Sequence, residues 1–225
     1  MAAGRGVRFG QPKQLIEVAG RPLVAWSLAL FNGLAEIDDL VVATESEHIA
    51  AMESLAREYA PRLTARVVAG GATRQGSTRN ALRAVPERCD AVFVHDGARP
   101  LVLANDIRAG MAATAAGRGA VLATPVIDTI KLVPRGSHAI SQTLDRSELW
   151  AAQTPQFAML ADLRRAHDAA ERDGAEATDD VALLERIGLR VDVVPASAAN
   201  FKVTQPGDRD LAETILRERA ALARL

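Results

Sequence analysis

Short apolar runs alternate with amphipathic stretches along most of this 225-residue chain, and that alternation leaves few folds open. Runs of about four apolar residues read as buried strands, and apolar residues spaced three and four apart read as helices. Strands are expected at 40–43, 66–68, 91–94 and 120–123, with a late one at 191–194. Helices are expected over 23–34, from Ser46 as N-cap to about Tyr59, over 75–84 and over 105–116. Three more follow at 158–172, 180–187 and 208–222. Pro22 suits a first helical position, where its missing N–H costs nothing. Strand followed by helix, repeated, predicts an α/β fold: a three-layer, Rossmann-like, mostly parallel sheet with right-handed crossovers. Ala91-Val92-Phe93-Val94 is apolar on both faces, which predicts a central parallel strand.

The rhythm breaks at Pro125. Two short alternating segments, 129–132 and 139–144, flank Pro134-Arg135-Gly136, which is a hairpin signal with turn residues between. No helix covers the hairpin, so it is expected to project. The chain therefore reads as a single domain, 1–225, with 128–153 as an arm.

Hydrophobic residues make up 48% of the chain, enough for a sizeable core. Lys plus Arg is 27 against 28 Asp plus Glu, a net charge of −1, which speaks against nucleic acid as the main partner. The single Cys89 excludes an internal disulfide and a cysteine-based metal cluster. No run of eighteen or more apolar residues points to a membrane span, and no secretion signal is visible, so the cytoplasm is the simplest address.

In open α/β sheets, ligands sit beyond the carboxyl ends of the strands, and the polar clusters of this chain fall there. In the opening loop, Gly4 and Gly6 permit a sharp turn and close approach to a ligand, and Arg8 and Lys13 add two cations. Backbone N–H groups in such a loop suit a polyphosphate; a surface turn with solvated cations is the plainer alternative. The loop fits neither the Walker nor the dinucleotide pattern. Gly70-Gly71 with Arg74 and Ser77 ends one strand: a nucleotide contact, or a tight turn with a helix cap. His95-Asp96-Gly97-Ala98-Arg99-Pro100 ends the most apolar strand, with Asp96 and Arg99 as site residues or as an ion pair, and His95 read as structural. Thr178-Asp179-Asp180 precedes a helix and also reads as a plain N-cap. Trp26, Phe31 and Phe93 read as core. No cluster of His, Cys, Asp and Glu has zinc-ligand spacing, and no metal ligands are assigned.

Together these clusters resemble a known family. The Ala-Ala-Gly-Arg-Gly-x-Arg opening with Pro12-Lys13 is similar to that of nucleotidyltransferases. With residues 94–100, Asp128-Thr129, Asp145-Arg146, Thr154-Pro155-Gln156-Phe157, Thr178-Asp179 and 200–204, the chain resembles the 2-C-methyl-D-erythritol 4-phosphate cytidylyltransferase family over nearly its whole length. The resemblance implies transfer of CMP from CTP to the phosphate of 2-C-methyl-D-erythritol 4-phosphate, with release of pyrophosphate, in non-mevalonate isoprenoid precursor synthesis. It implies that Ala2, Ala3 and Gly4, with Arg8 and Lys13, hold the CTP phosphates, and that Gly71, Arg74 and Ser77 hold the cytidine. Asp96, Arg99, Thr129, Arg146, Thr178 and Lys202 then surround the acceptor. Of these, Arg8, Lys13, Arg146 and Lys202 are the expected catalytic cations, since the attack joins two anions. Mg²⁺ is expected through the CTP phosphates, and the arm is expected to exchange across a homodimer. Two departures stand out: a short loop between Arg8 and Lys13, and Ala72 where many members carry an acid. A ribitol 5-phosphate cytidylyltransferase and a non-catalytic nucleotide-binding module are the competing readings.

The resemblance also implies an apolar strand before the glycine-rich loop. Only Met1 precedes Ala2 here, so the first strand is expected to be missing and the natural start to lie several residues upstream.

Overall fold

The computed structural model of the chain describes residues 1–3 and 12–222. Two short strands open the described chain after Lys13: β1 (Glu17–Val18) and β2 (Arg21–Pro22), an antiparallel pair too brief for periodicity to reveal. Then follow α1 (Leu23–Asn32), β3 (Asp39–Thr44), α2 (Ile49–Tyr59), β4 (Thr64–Ala69) and α3 (Arg74–Ala84). Pro22 is the residue before α1 rather than its first residue, and Ser46 opens a single 3₁₀ turn ahead of α2. Thr73 caps α3, its side chain accepting from the Gly76 N–H. The next elements are β5 (Ala91–Val94), α4 (Ala104–Ala113) and β6 (Arg118–Pro125). β7 (Lys131–Leu132) pairs antiparallel with β8 (Gln142–Thr143) as the predicted hairpin. The chain closes with β9 (Trp150–Met159), α5 (Leu160–Asp173), α6 (Asp180–Arg186), β10 (Arg190–Pro195) and α7 (Pro206–Leu222).

The sheet is mixed, which corrects the expectation of a mostly parallel one. Its main part runs β10-β6-β9-β5, with β10 parallel to β6 and β9 antiparallel to both neighbours. β9 went unforeseen because Gln153-Thr154-Pro155-Gln156 is polar and holds a proline, the composition of a loop. All three polar side chains are buried, and the loops around them satisfy them. β5 is also corrected: it is not flanked by parallel strands but lies at the end of this four-stranded array, paired antiparallel with β9. Side-chain alternation divides the core as a period of two requires. Ala120 and Leu122 of β6 join α1 and α4 on one face, while Val121 meets α3, α5 and α6 on the other. Each such fully buried large side chain contributes about 1.5–3 kcal/mol. A third cluster joins β1, the 98–101 stretch and α7 through Val18, Leu101, Val203 and Leu216.

β3 and β4 form a separate parallel pair. Between β3 and β5 the ladder is interrupted, and backbone hydrogen bonds through Met1 and Ala2 connect its two sides. Ala2 N–H donates to Ala43 O at 2.7 Å, and the Met1 amine donates to His95 O at 2.6 Å. Gly97 N–H returns a bond to Met1 O at 2.9 Å. Beyond these two residues lies a cleft of about 450 Å³ with apolar walls that include Leu28, Phe31, Val42, Leu82 and Phe93.

Candidate functional site

A second, larger cavity of about 1140 Å³ opens where the ends of β3, β4 and β5 meet the start of the chain. Strand polarity explains the position: all three strands deliver their polar sequels to one rim. After β4, Gly70 and Gly71 turn the chain into α3. A Cβ on Gly71 would lie 2.7 Å from the Gly76 carbonyl carbon, so only glycine lets the turn fold onto the helix. Gly71 N–H donates to Ser77 Oγ at 2.9 Å, and Ser77 Oγ donates to Thr73 O at 2.9 Å.

After β5, the 95–100 stretch is held by buried polar bonds. Thr154 Oγ1 accepts from Asp96 N–H at 2.9 Å and lies 3.2 Å from His95 Nδ1. His95 Nε2 lies 3.1 Å from Arg99 O. Burial pushes the His95 imidazole down to about 3, so it stays neutral. The expectation of a structural histidine agrees with this geometry.

Asp96 is the electrostatic centre of the rim. Its carboxylate lies 2.7 Å from Lys202 Nζ, 3.6 Å from Arg74 Nε and 3.9 Å from Arg99 Nε. Burial acts to raise its pKa, but the Lys202 and Arg74 cations more than reverse this and hold the carboxyl far below the usual range. Arg99 is anchored from behind, its Nη1 donating to Asn200 O at 2.8 Å. Asn200 in turn donates to Gln153 Oε1 at 2.8 Å and to Thr154 O at 3.0 Å. Gln153 and Asn200 are thus buried struts of the rim. Sequence reading missed Gln153 and treated Asn200 only as part of a motif, since single amides carry no pattern.

The cavity brings together Ala3, Lys13, Gly71, Arg74, Ser77, Asp96 and Lys202. Ala2 is spent on the sheet instead, and Arg99 stands behind Asp96. Gly4 and Arg8 lie outside the described residues. Thr129, Arg146 and Thr178 do not line the cavity. All three are exposed; Arg146 Nη1 donates to Ile127 O at 2.7 Å within the arm. Glu45 and Glu47 also line the cavity, which sequence reading did not foresee. A lining of cations, turned backbone and hard oxygen donors suits a polyanion accompanied by a divalent cation.

The chain matches the family model for 2-C-methyl-D-erythritol 4-phosphate cytidylyltransferase over residues 1–218. It is 41% identical to the 2-C-methyl-D-erythritol 4-phosphate cytidylyltransferase of Halalkalibacterium halodurans, covering 97% of this chain and 95% of that protein. Among solved structures it is similar to the enzyme of that name from Thermus thermophilus, with 37% identity, a TM-score of 0.76 and 96% of each chain covered. The 4-diphosphocytidyl-2C-methyl-D-erythritol synthase of Anaerococcus prevotii superposes with a TM-score of 0.84 at 25% identity, over 96% of this chain and 95% of that one.

Proposed function

This chain belongs to the 2-C-methyl-D-erythritol 4-phosphate cytidylyltransferase family, and from that premise we infer how its cavity carries out CMP transfer from CTP to 2-C-methyl-D-erythritol 4-phosphate. An oxygen of the acceptor phosphate attacks the α-phosphorus of CTP. The bond from that phosphorus to the bridging oxygen breaks, and pyrophosphate leaves with the electron pair. Both reactants are anions, so the work lies in alignment and in stabilising charge at phosphorus. The observation that carries the reading is the pairing of Arg74 and Lys202 with Asp96 beside the Gly70-Gly71 turn, in a cavity that Lys13 also lines.

In this reading Lys13, with Arg8, Ala3 and Gly4, holds the triphosphate, Ala2 anchors the loop to β3, and Gly71, Arg74 and Ser77 hold the cytidine. Lys202, with Asp96 and Arg99, meets the acceptor phosphate. Glu45 and Glu47 are the nearby oxygen donors that would hold Mg²⁺ against the CTP phosphates, where it would neutralise part of their charge. A nucleoside triphosphate donor favours the cytoplasm as the setting.

Thr129 and Arg146, carried on the arm, reach the acceptor site of a second subunit in a homodimer, and Thr178 is a further acceptor contact. Supporting this, the arm and the residue leading into it expose apolar side chains that one subunit leaves uncovered: Ile127 is 81% exposed, and Leu132, Val133, Ile140 and Trp150 of the arm are exposed with it. The single domain 1–225 then carries residues 128–153 as a dimerisation arm.

The test is CTP-dependent pyrophosphate release with each of two acceptors, 2-C-methyl-D-erythritol 4-phosphate and ribitol 5-phosphate. Turnover with the first and little with the second is expected. A preference for ribitol 5-phosphate would overturn the acceptor assignment.

A further inference from the structure

Behind the cavity a chain of charges runs into the protein interior. Arg74 Nη1 donates to Asp180 Oδ2 at 2.7 Å, and His167 Nε2 donates to Asp180 Oδ1 at 3.1 Å. Asp180 is 2% exposed and His167 is 1% exposed. Neither lines the cavity. Asp180 is the first residue of α6, but its carboxylate does no capping there. Asp179 caps the helix, accepting from Ala182 N–H at 3.0 Å, and the Asp180 N–H is taken up by Gln156 Oε1 at 2.9 Å. The carboxylate is therefore buried for the sake of its two partners.

Burying a carboxylate is costly unless it is paired. Burial acts to raise the Asp180 pKa, yet the hydrogen bond from His167 and the Arg74 charge more than offset it, and the carboxyl lies below its ordinary value. An asparagine would fill the same space at lower desolvation cost. What the carboxylate adds is a fixed charge against Arg74. Arg74 needs one, because a free arginine side chain carries about 2 kcal/mol of rotamer entropy. Its other acidic neighbour, Asp96, is shared with Lys202 and Arg99. Among the described residues, Asp180 pairs with Arg74 and His167 alone.

We propose that Asp180, braced by His167, is a positioning residue that fixes the Arg74 guanidinium for the cytidine end of CTP. The proposal rests on the reading of Arg74 as a nucleotide-holding residue. The hydrogen bond from Nη1 to Asp180, with the Asp96 carboxylate 3.6 Å from Nε, holds the fork before the nucleotide arrives, so binding does not have to order it. His167 occupies the second carboxylate oxygen and prevents Asp180 from rotating away.

The experiment compares kcat and the KM for each substrate in the purified full chain and in D180N, R74A, the D180N/R74A double variant, H167Q and H167L. D180N is expected to raise the KM for CTP about tenfold, the lower end of what a hydrogen bond to a charged group is worth. Its kcat and its KM for the acceptor should move by less than about threefold. In the double variant, D180N should add little to the loss from R74A, because the two act as one unit. H167L should shift the KM for CTP in the same direction by less, and H167Q, which keeps a donor, should restore it. If R74A raises the KM for CTP and D180N does not, or if the two losses multiply, the positioning role is wrong. If R74A itself leaves the KM for CTP unchanged, the nucleotide role of Arg74 falls and takes this proposal with it. Should D180N not fold, H167L decides: a lower kcat with an unchanged KM for CTP marks a purely structural contact.

Discussion

Lowering the pH from 6 to 4.5 should destabilise this protein through His95 in particular. Burial holds its folded pKa at about 3, while the unfolded imidazole titrates near its ordinary value of 6.5. Between those values the unfolded chain binds a proton that the folded chain refuses. Stability from this group is therefore fully present above 6.5 and is lost as the pH falls through the window below it. At 1.36 kcal/mol per unit, the step from pH 6 to 4.5 costs about 2 kcal/mol. For a chain of this length that corresponds to a fall of roughly 4–8 °C in thermal midpoint. The cause is geometric. Thr154 Oγ1 accepts from Asp96 N–H and so gives its own proton to His95 Nδ1, while Nε2 donates to Arg99 O. A second ring proton would displace the Thr154 bond. Neighbouring groups act outside the window: the Met1 amine, pushed by burial to about 6 from 8.0, acts with the same sign above it. Asp96, held far below the carboxylate range, loses its contribution only at more acidic pH. Thermal melts of the protein and of H95Q at the two pH values isolate the effect. The variant should lose about 2 kcal/mol less over the step. Equal losses in both proteins would refute the argument.

Lys13→Ala should lower kcat by roughly 10²–10³, the usual cost of one electrostatic donor, with little change in thermal midpoint; a variant with more than half the activity would remove Lys13 from the chemistry. Mixing inactive Lys13→Ala with inactive Arg146→Ala subunits should restore some turnover, because some mixed dimers hold one intact site, whereas a fully active monomer in sedimentation would rule out the shared site.

The parts of this protein legible in sequence were those with a period. The helices over α1, α3, α5 and α6 and the strands β3, β4, β5, β6 and β10 follow from apolar spacing. What escaped was structure held by individual polar bonds. β9 reads as a loop because Thr154 and Gln156 are polar, yet Thr154 serves His95 and Asp96, and Gln156 serves α6. The β5 edge failed for a different reason: a short apolar strand reports burial on both faces but not the direction of its neighbours. At the site, motif residues such as Asp96, Arg74 and Lys202 were legible as a linear pattern. Asp180 appeared only within a cap cluster and His167 not at all, because thirteen positions separate them in the chain and only the packing of α5 against α6 joins them.

The cleft between β3 and β5 gives this sheet two rims that face inward. Among the described residues, amide protons pointing into it have no ladder partner along most of its length. They should exchange with solvent deuterium far faster than those of β6, sandwiched between β10 and β9. Two facing rows of unsatisfied backbone are also a template for any extended segment that can enter. Most sheet proteins guard their outermost strands against sticking to one another. Here the seam open to such pairing lies between β3 and β5 rather than along an outer strand.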